Sequence, residues 1–368
     1  MRGGVDPVQP SGVDASVEDA PAMDRRWSDE EHARPDALVA RRRGQTPWIT
    51  LGIACVAAFG VIHRPPPKPE VLRPFEATVA RAALPFASPS SNALGKSGGV
   101  QLRSVLPRAT VSYPLQIQGD PSALTYQWVR SADSVPEGGV LPLDGVDLVA
   151  PSTPGFYRLA LLRDGERRVV DGLTIAVLVP FSEKLGATLD GYRIGTYLAE
   201  KLRGHDRPDG FVRVDSSDMQ LPVSQHFRLA DFVAKDGQGA FPRYAALNSR
   251  LLDKLELVLD ELGGDAAGTV ELNVHVNSGF RPPAYNRTVR RAAQDSRHQY
   301  GDAADVKIDA DRDGRFTARD ARLVMEAVER VERAHPDLVG GLGLYTSGRY
   351  NAAYVHIDAR GNRARWRG

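Results

Sequence analysis

The chain of 368 residues has a single cysteine, Cys55, which excludes a disulfide framework and any cysteine-ligated zinc cluster. Charge of either sign is not in excess. The 47 basic residues face 46 acidic ones, so nothing in the balance points to a nucleic-acid partner. Long hydrophobic runs are also scarce. The longest, in "TPWITLGIACVAAFGVIH", is apolar over residues 47–62, somewhat short of the roughly 20 residues a transmembrane helix usually takes. Any metal in this protein must be held by His, Asp and Glu.

That run is still usable as a membrane anchor over residues 46–63. Arg41, Arg42 and Arg43 precede it and few positive charges follow closely, a bias that favours a cytoplasmic N-terminus and an exported C-terminus. The chain is thus expected to cross a membrane once, with its C-terminal domains on the exported side. A cleaved signal peptide is the rival, although a leading region of residues 1–45 is long for one. A buried helix of a soluble protein is the third reading. Residues 1–45 are rich in Asp, Glu, Arg, Pro and Gly without apolar periodicity and read as a disordered tail.

"RPPPKPE" opens a stiff Pro/Ala-rich linker over residues 64–99. Short alternating apolar runs separated by Gly and Pro turns then fill residues 100–179, for example "LTYQWVRS" and "GFYRLALLRDG". This pattern predicts a small β-sandwich, and "APSTPGFYRLAL" resembles the late strands of an immunoglobulin-like domain. Trp128 and Tyr157 read as its core, with a carbohydrate-binding role as the alternative. Residues 180–222 read as a connector that packs against the last domain, residues 223–368.

Within that domain, Leu251, Leu252, Leu255, Val258, Leu259 and Leu262 recur at helical spacing before Gly263 and Gly264. "TVELNVHVNSGFR" alternates as a strand with His275 on its polar face. "PPAYNRTVRRAAQ" reads as a short helix with proline in its first turn.

The stretch "SRHQYGDAADVKIDADRDGRFTARD", crowded with aspartate, carries the chemistry. A catalytic zinc takes three ligands from His, Asp and Glu and keeps one position open. His298 and Asp305 are seven residues apart, too far for one helix face, but they can flank a turn at Gly301 that leads into a strand. Ala303 and Ala304 would let the backbone approach closely. The strand "AAYVHID" offers His356 as a third ligand, with Asp358 two residues on and on the same side.

Ser296, His298, Gly301, Ala303 and Asp305 match S-x-H-x-x-G-x-A-x-D, the pattern of the D-alanyl-D-alanine metallo-carboxypeptidase and murein endopeptidase family. "SGFRPPAYN" is similar to that family's S-G-Y-R-S-x-x-x-N segment. "GGLGLYTSGRYNAAYVHIDARGNRARWRG" resembles its closing G-G-x-G-x-Y…F-V-H-x-D-x-G…R-x-W. The resemblance covers roughly residues 223–368 and implies an α+β zinc-peptidase domain of the hedgehog/D-Ala-D-Ala peptidase type. It implies His298, Asp305 and His356 as zinc ligands. Arg281 would face the substrate and the charge developing on the scissile carbonyl, and Ser296 would lie along the substrate path. Many relatives carry a Glu or Asp general base three residues before the last histidine, where this chain has Ala353. Asp358 is the candidate base; a partner that orients a ligand histidine is the alternative for it.

Directly behind, residues 309–320 have the spacing of an EF-hand-type calcium loop. Asp309, Asp311 and Asp313 stand at positions 1, 3 and 5, and Gly314 at 6. The Arg315 carbonyl, Thr317 and Asp320 fall at positions 7, 9 and 12. The plain alternative is an acidic turn before the helix "ARDARLVMEAVERVERA". The expected function is therefore zinc-dependent hydrolysis of peptide bonds in peptidoglycan stem peptides or cross-links, with calcium as a structural ion. A zinc-containing module that binds peptidoglycan without cutting it is the competing reading.

Overall fold

The computed structural model describes residues 76–79, 96–113, 115–118, 124–143, 147–263, 272–346 and 353–368. The expected tail at residues 1–45 and the expected anchor at residues 46–63 lie outside them. Among the described residues no helix is long and apolar enough to cross a membrane.

The first described region is all-β. Its main sheet has six strands: β1 (Leu102–Val105), β2 (Thr125–Arg130), β3 (Pro136–Pro142), β4 (Gly155–Arg163), β5 (Glu166–Val169) and β6 (Thr174–Val177). They run in the order β1-β6-β4-β2-β3, with β5 on β4, and only β1 and β6 are parallel. Two antiparallel pairs accompany this sheet, Thr110–Ser112 with Asp147–Val149 and Glu76–Val79 with Leu115–Gln118. The second pair corrects the linker expectation, because four residues of the stretch 64–99 form a strand. The alternating, β-branched "EATV" can complete a ladder that Leu115–Gln118 would otherwise leave open.

Trp128 and Tyr157 are buried together with Val111, Tyr113, Leu159 and Ile175. Trp128 Nε1 donates to the Val149 carbonyl at 2.7 Å, and the Tyr126 hydroxyl accepts from Val149 N at 3.0 Å. Both rings are thus core that ties one layer to the other, with no face left for a sugar.

A three-stranded sheet follows: β7 (Val179–Pro180), β8 (Gly210–Val214) and β9 (Arg243–Ala245). Residues 180–222 are more than a connector. Phe181, Tyr192, Ile194, Tyr197 and Phe211 belong to one buried cluster with Leu251, Val306 and Ile357 further along the chain. Leu102, Phe156 and Ala176 of the six-stranded sheet join the same cluster, so the core is continuous between these regions.

The last region is a five-stranded sheet with two long helices and the short helix Pro283–Asn286. Helix α1 is Ser249–Glu261, capped by Asn248, whose side chain accepts from Arg250 N. It ends where Gly263 takes a positive φ. The strands are β10 (Val274–Ser278), β11 (Ala303–Ile308), β12 (Gly341–Tyr345), β13 (Tyr354–Asp358) and β14 (Ala364–Arg367), in the order β10-β11-β13-β12-β14. Helix α2, Ala318–Ala334, packs on α1 and on β11, β12 and β13.

Strand alternation then divides the sheet. Ala304, Val306, Ile308, Leu342, Leu344, Val355 and Ile357 enter the core with Val324, Val328 and Val331 of α2. The residues between them, including Asp305, Gly343, Tyr354, His356 and Asp358, fall on the opposite face. That face sets His356 opposite Asp305.

Candidate metal centre

Asp305 of β11 and His356 of β13 are direct cross-strand partners. His298 comes from the short 3-10 turn Arg297–Tyr300 before β11. Gly301 closes that turn in the left-handed region at φ 70°. A Cβ there would lie 2.2 Å from the Ala246 carbonyl oxygen, so both the dihedral and the space require glycine. The Gly301 carbonyl accepts from Asn248 N at 2.9 Å, which fastens the turn to the start of α1.

The three donor atoms form a nearly equilateral triangle. His298 Nε2 lies 3.1 Å from His356 Nδ1 and 3.3 Å from Asp305 Oδ1, and His356 Nδ1 lies 3.0 Å from the same oxygen. A tetrahedral zinc with bonds of about 2.0–2.1 Å spaces its ligand atoms by about 3.3 Å. One face of such a tetrahedron therefore fits these residues as they stand, and all three are buried.

The tautomers follow from the partners. His298 Nδ1 lies 2.7 Å from the Gly279 carbonyl, which can only accept, so this nitrogen carries the proton and Nε2 has the free lone pair. His356 Nε2 lies 3.1 Å from Asp358 Oδ2, so here Nδ1 is left free.

The charges are set by competition between burial and neighbours. Burial pushes the Asp305 carboxyl up, but His298 and His356 outweigh it and hold it well below the usual range. Burial lowers His298, with His356 and Arg281 acting in the same sense and Asp305 opposing. Burial also works against protonation of His356, but Asp305 and Asp358 prevail and raise it.

Arg281 reaches the same cluster. Its Nη2 lies 2.9 Å from His298 Nε2 and also pairs with Asp305 Oδ2, while Nε donates to Ser278 Oγ at 2.7 Å. Ser296 is half-buried at the start of the His298 turn, and its carbonyl accepts from Gln299 N at 3.0 Å.

Asp358 is fully buried on the far side of His356 from the donor triangle. Oδ1 accepts from Gly341 N at 2.7 Å and from Arg360 N at 3.1 Å, and the Arg360 guanidinium covers both oxygens. Burial would raise this carboxyl, but His356 and Arg360 hold it well below the usual range. A carboxylate so enclosed is placed to orient His356 and is badly placed to take a proton from water. Of the two expectations for Asp358, this geometry favours a partner that orients His356 over a base. Ala353 is buried and brings no functional group.

A buried ion pair backs this strand. Lys254 Nζ of α1 donates to Glu332 of α2 at 2.8 Å and to the Asp358 carbonyl at 2.7 Å. Gly340 N and Arg365 also donate to Glu332.

An aromatic group was not foreseen as part of the site. Gly343 is the cross-strand partner of both His356 and Trp366. Lacking a side chain, Gly343 lets the Trp366 ring lie across it to 5.0 Å from the His356 ring; a Cβ there would meet Trp366 at 2.4 Å. Trp366 Nε1 donates to the Tyr345 hydroxyl at 2.8 Å, and Tyr345 stacks on Tyr354 with centroids 4.5 Å apart and planes within 5°. Burial pushes the Tyr354 phenol up to about 12, with Asp305 and Tyr345 adding and Arg281 opposing. The closing R-x-W and the alternation of β13 were the signals that could have found this group.

The second aspartate cluster is separate. Carboxylate oxygens of Asp309, Asp311 and Asp313 come within 4.8 Å of one another. Asp309 accepts from Asp313 N at 3.1 Å and from Gly314 N at 2.9 Å, which folds the loop around it. Thr317 and Asp320 do not join this cluster. Thr317 caps α2, and Asp320 accepts from Thr317 N and Oγ1, both at 2.8 Å, and from Ala310 N and Asp311 N. The Arg315 amide donates to Asp313 Oδ1 at 2.8 Å.

Residues 225–331 match the family model described as Peptidase M15. The C-terminal region carries a Peptidase M15 domain. The match contains Arg281, His298 and Asp305 and ends before His356, which the sheet register sets opposite Asp305. The M15 assignment supports a peptidase-type function for this region. No curated protein matches the chain significantly. A solved structure, Sidekick-1 immunoglobulin domains 1–4, is similar at 15% identity over 22% of this chain and 20% of that chain. Its TM-score of 0.15 is too low to bear on the fold.

Proposed function

We propose that the protein is a zinc-dependent peptidase that hydrolyses peptide bonds in peptidoglycan stem peptides or their cross-links. The observation that carries this reading is the buried His298–Asp305–His356 triangle with sides of 3.0 to 3.3 Å, two of whose corners, His298 and Asp305, fall within the M15 match. Zinc held there would lower the pKa of a water and polarise the scissile carbonyl. The chain's own part is to prepare the donors. Gly279 and Asp358 fix the two imidazoles so that the free nitrogens converge on Asp305. Asp305 and Asp358 favour a proton on His356, which the ring would have to give up to serve as a metal ligand. Arg281, buried beside the triangle with Nη2 and Nε engaged there, would lend its positive charge to a carboxylate or to charge building on the carbonyl oxygen.

A binding module that keeps its metal without cutting is the second reading. It is favoured by Ala353 in the place of a carboxylate and by the enclosure of Asp358. Incubating the full chain with defined muropeptides, zinc-loaded and chelated, separates the two. A zinc-dependent new amine or shortened peptide supports the peptidase; bound zinc and bound peptide without product supports the module. The products also distinguish carboxypeptidase from endopeptidase action.

Two further parts belong to this reading. Residues 46–63 would hold the protein at a bacterial inner membrane with the M15 domain outside the cytoplasm, as the arginines before the apolar run favour. Protease protection in spheroplasts tests that orientation. Calcium at Asp309, Asp311 and Asp313 would stabilise the loop behind β11. In support, Asp311 Oδ1 is buried without a partner among the described residues, and burial together with Asp320 and Asp313 raises this carboxyl. Equal thermal stability in calcium and in a calcium-selective chelator would remove this second ion.

A further inference from the structure

The site has a gap in its chemistry. Hydrolysis of an amide places negative charge on the carbonyl oxygen, and fixed donors aimed at that oxygen are usually a large part of catalysis. Arg281 is one donor, but its Nη2 is already engaged by Asp305 and His298. Position 353 holds an alanine, and the Asp358 oxygens are filled by Gly341, His356 and Arg360. A neutral donor beside the triangle is what the arrangement lacks.

Tyr354 lies two residues before His356 on β13, on the same face of the sheet as Asp305. Its ring is held by a chain of contacts that ends on a metal-site histidine: Tyr354 stacks on Tyr345, Tyr345 accepts from Trp366, and Trp366 packs on His356. Its hydroxyl has no hydrogen-bond partner among the described residues. Where the resembling motif reads F-V-H-x-D, this chain reads Tyr-Val-His-Ile-Asp, so the hydroxyl is the atom by which it departs.

We infer that Tyr354 is a catalytic residue whose hydroxyl donates a hydrogen bond to the scissile carbonyl oxygen as charge builds there. This rests on the peptidase reading above. The water oxygen bonds to the carbonyl carbon and the carbonyl π pair moves onto its oxygen, which accepts from Tyr354. When the C–N bond breaks, that pair returns, and the proton lost by the water ends on the leaving nitrogen. Tyr354 keeps its own proton throughout, so no bond to it forms or breaks.

The test is Tyr354→Phe in the full, zinc-loaded chain, which keeps the stacked ring and removes only the oxygen. The expected result is a fall in kcat of about 10²-fold, with KM within about twofold and zinc affinity and thermal unfolding unchanged. Affinity for a phosphinate dipeptide, whose tetrahedral oxygens mimic the charged state, falls in parallel, while affinity for the cleaved peptide stays. Equal kcat and equal phosphinate affinity in the two proteins would overturn the role, and so would a change confined to KM. A wild-type chain with bound zinc and no turnover defeats the peptidase reading and this role together. Turnover in wild type with an unaffected variant defeats this role alone.

Discussion

Asp358 Oδ2 lies 3.1 Å from His356 Nε2, and the other nitrogen of that ring lies 3.0 Å from Asp305 Oδ1. One imidazole thus separates two carboxylates with different work. Asp305 is one corner of the donor triangle, whereas Asp358 is closed in behind the ring by Gly341 N and Arg360. The tautomer of His356, and with it the direction of its free lone pair, depends on the second of these.

Replacing Asp358 by Asn should therefore act on the metal. A partner that orients a ligand histidine is worth about 10- to 100-fold in metal affinity, and Asp358→Asn is expected to lose zinc affinity in that range. Competition against a chelating dye measures it. Zinc affinity equal to wild type with hydrolysis abolished would instead return Asp358 to the role of base.

Lys254 is expected to be a stability residue. It is fully buried, joins α1 to Glu332 of α2 and holds the carbonyl of Asp358. Removing one partner of a buried pair costs about 3–5 kcal/mol. Gly340 N and Arg365 still bind Glu332 in Lys254→Ala, so the lower end of that range is expected in denaturant unfolding under chelator. A loss below about 1 kcal/mol would show that the pair contributes little beyond what a neutral contact gives.

Two glycines with the same sign of φ should respond differently to alanine. Gly301 at φ 70° has the Ala246 carbonyl where a Cβ would go, whereas Gly314 at φ 82° has open space. The left-handed conformation alone costs a non-glycine residue about 1–2 kcal/mol, which is the loss expected for Gly314→Ala. Gly301→Ala adds the collision and moves the His298 turn, so it should fall well beyond that in thermal unfolding. Similar losses at both sites would mean that the turn can shift away from Ala246 freely.

The parts legible in the sequence were those set by local periodicity and local turn chemistry. The leucine spacing of α1, the run "ARDARLVMEAVERVERA" of α2 and the alternation of "AAYVHID" each correspond to an observed element. His298, Asp305 and His356 were legible through their motifs, and the structure brings them together. What was not legible depends on neighbours distant in the chain. Asp358 and His356 share a strand face whether Asp358 is a base or an orienting partner; only Gly341 and Arg360 around it decide. Likewise, "GYRIGTYLAEK" has little periodicity, yet Tyr192, Ile194 and Tyr197 are core because Phe211 and Tyr300 come to meet them. The R-x-W motif marks Trp366, but that it reaches His356 depends on the pairing of two strands with Gly343 between them.

Asp320 offers a test of the loop behind the site that does not depend on zinc. Burial pushes its carboxyl up, but hydrogen bonds from Thr317, through both amide and hydroxyl, and from the Asp311 and Ala310 amides prevail and hold it below the ordinary value. A carboxyl lowered in the folded state adds stability that is fully present above its unfolded pKa of about 3.9 and is lost as pH falls through the folded value. Asp320→Asn keeps the shape and removes the charge. At neutral pH in chelator the variant should be less stable by about 0.5–2 kcal/mol, the worth of a capping residue. The difference should shrink as the pH falls below about 4, because wild-type Asp320 then takes up a proton and loses its advantage. Denaturant unfolding of both proteins at neutral pH and near pH 3 reads this directly. A gap that stays constant between those two conditions would mean that the charge on Asp320 does not hold the start of α2.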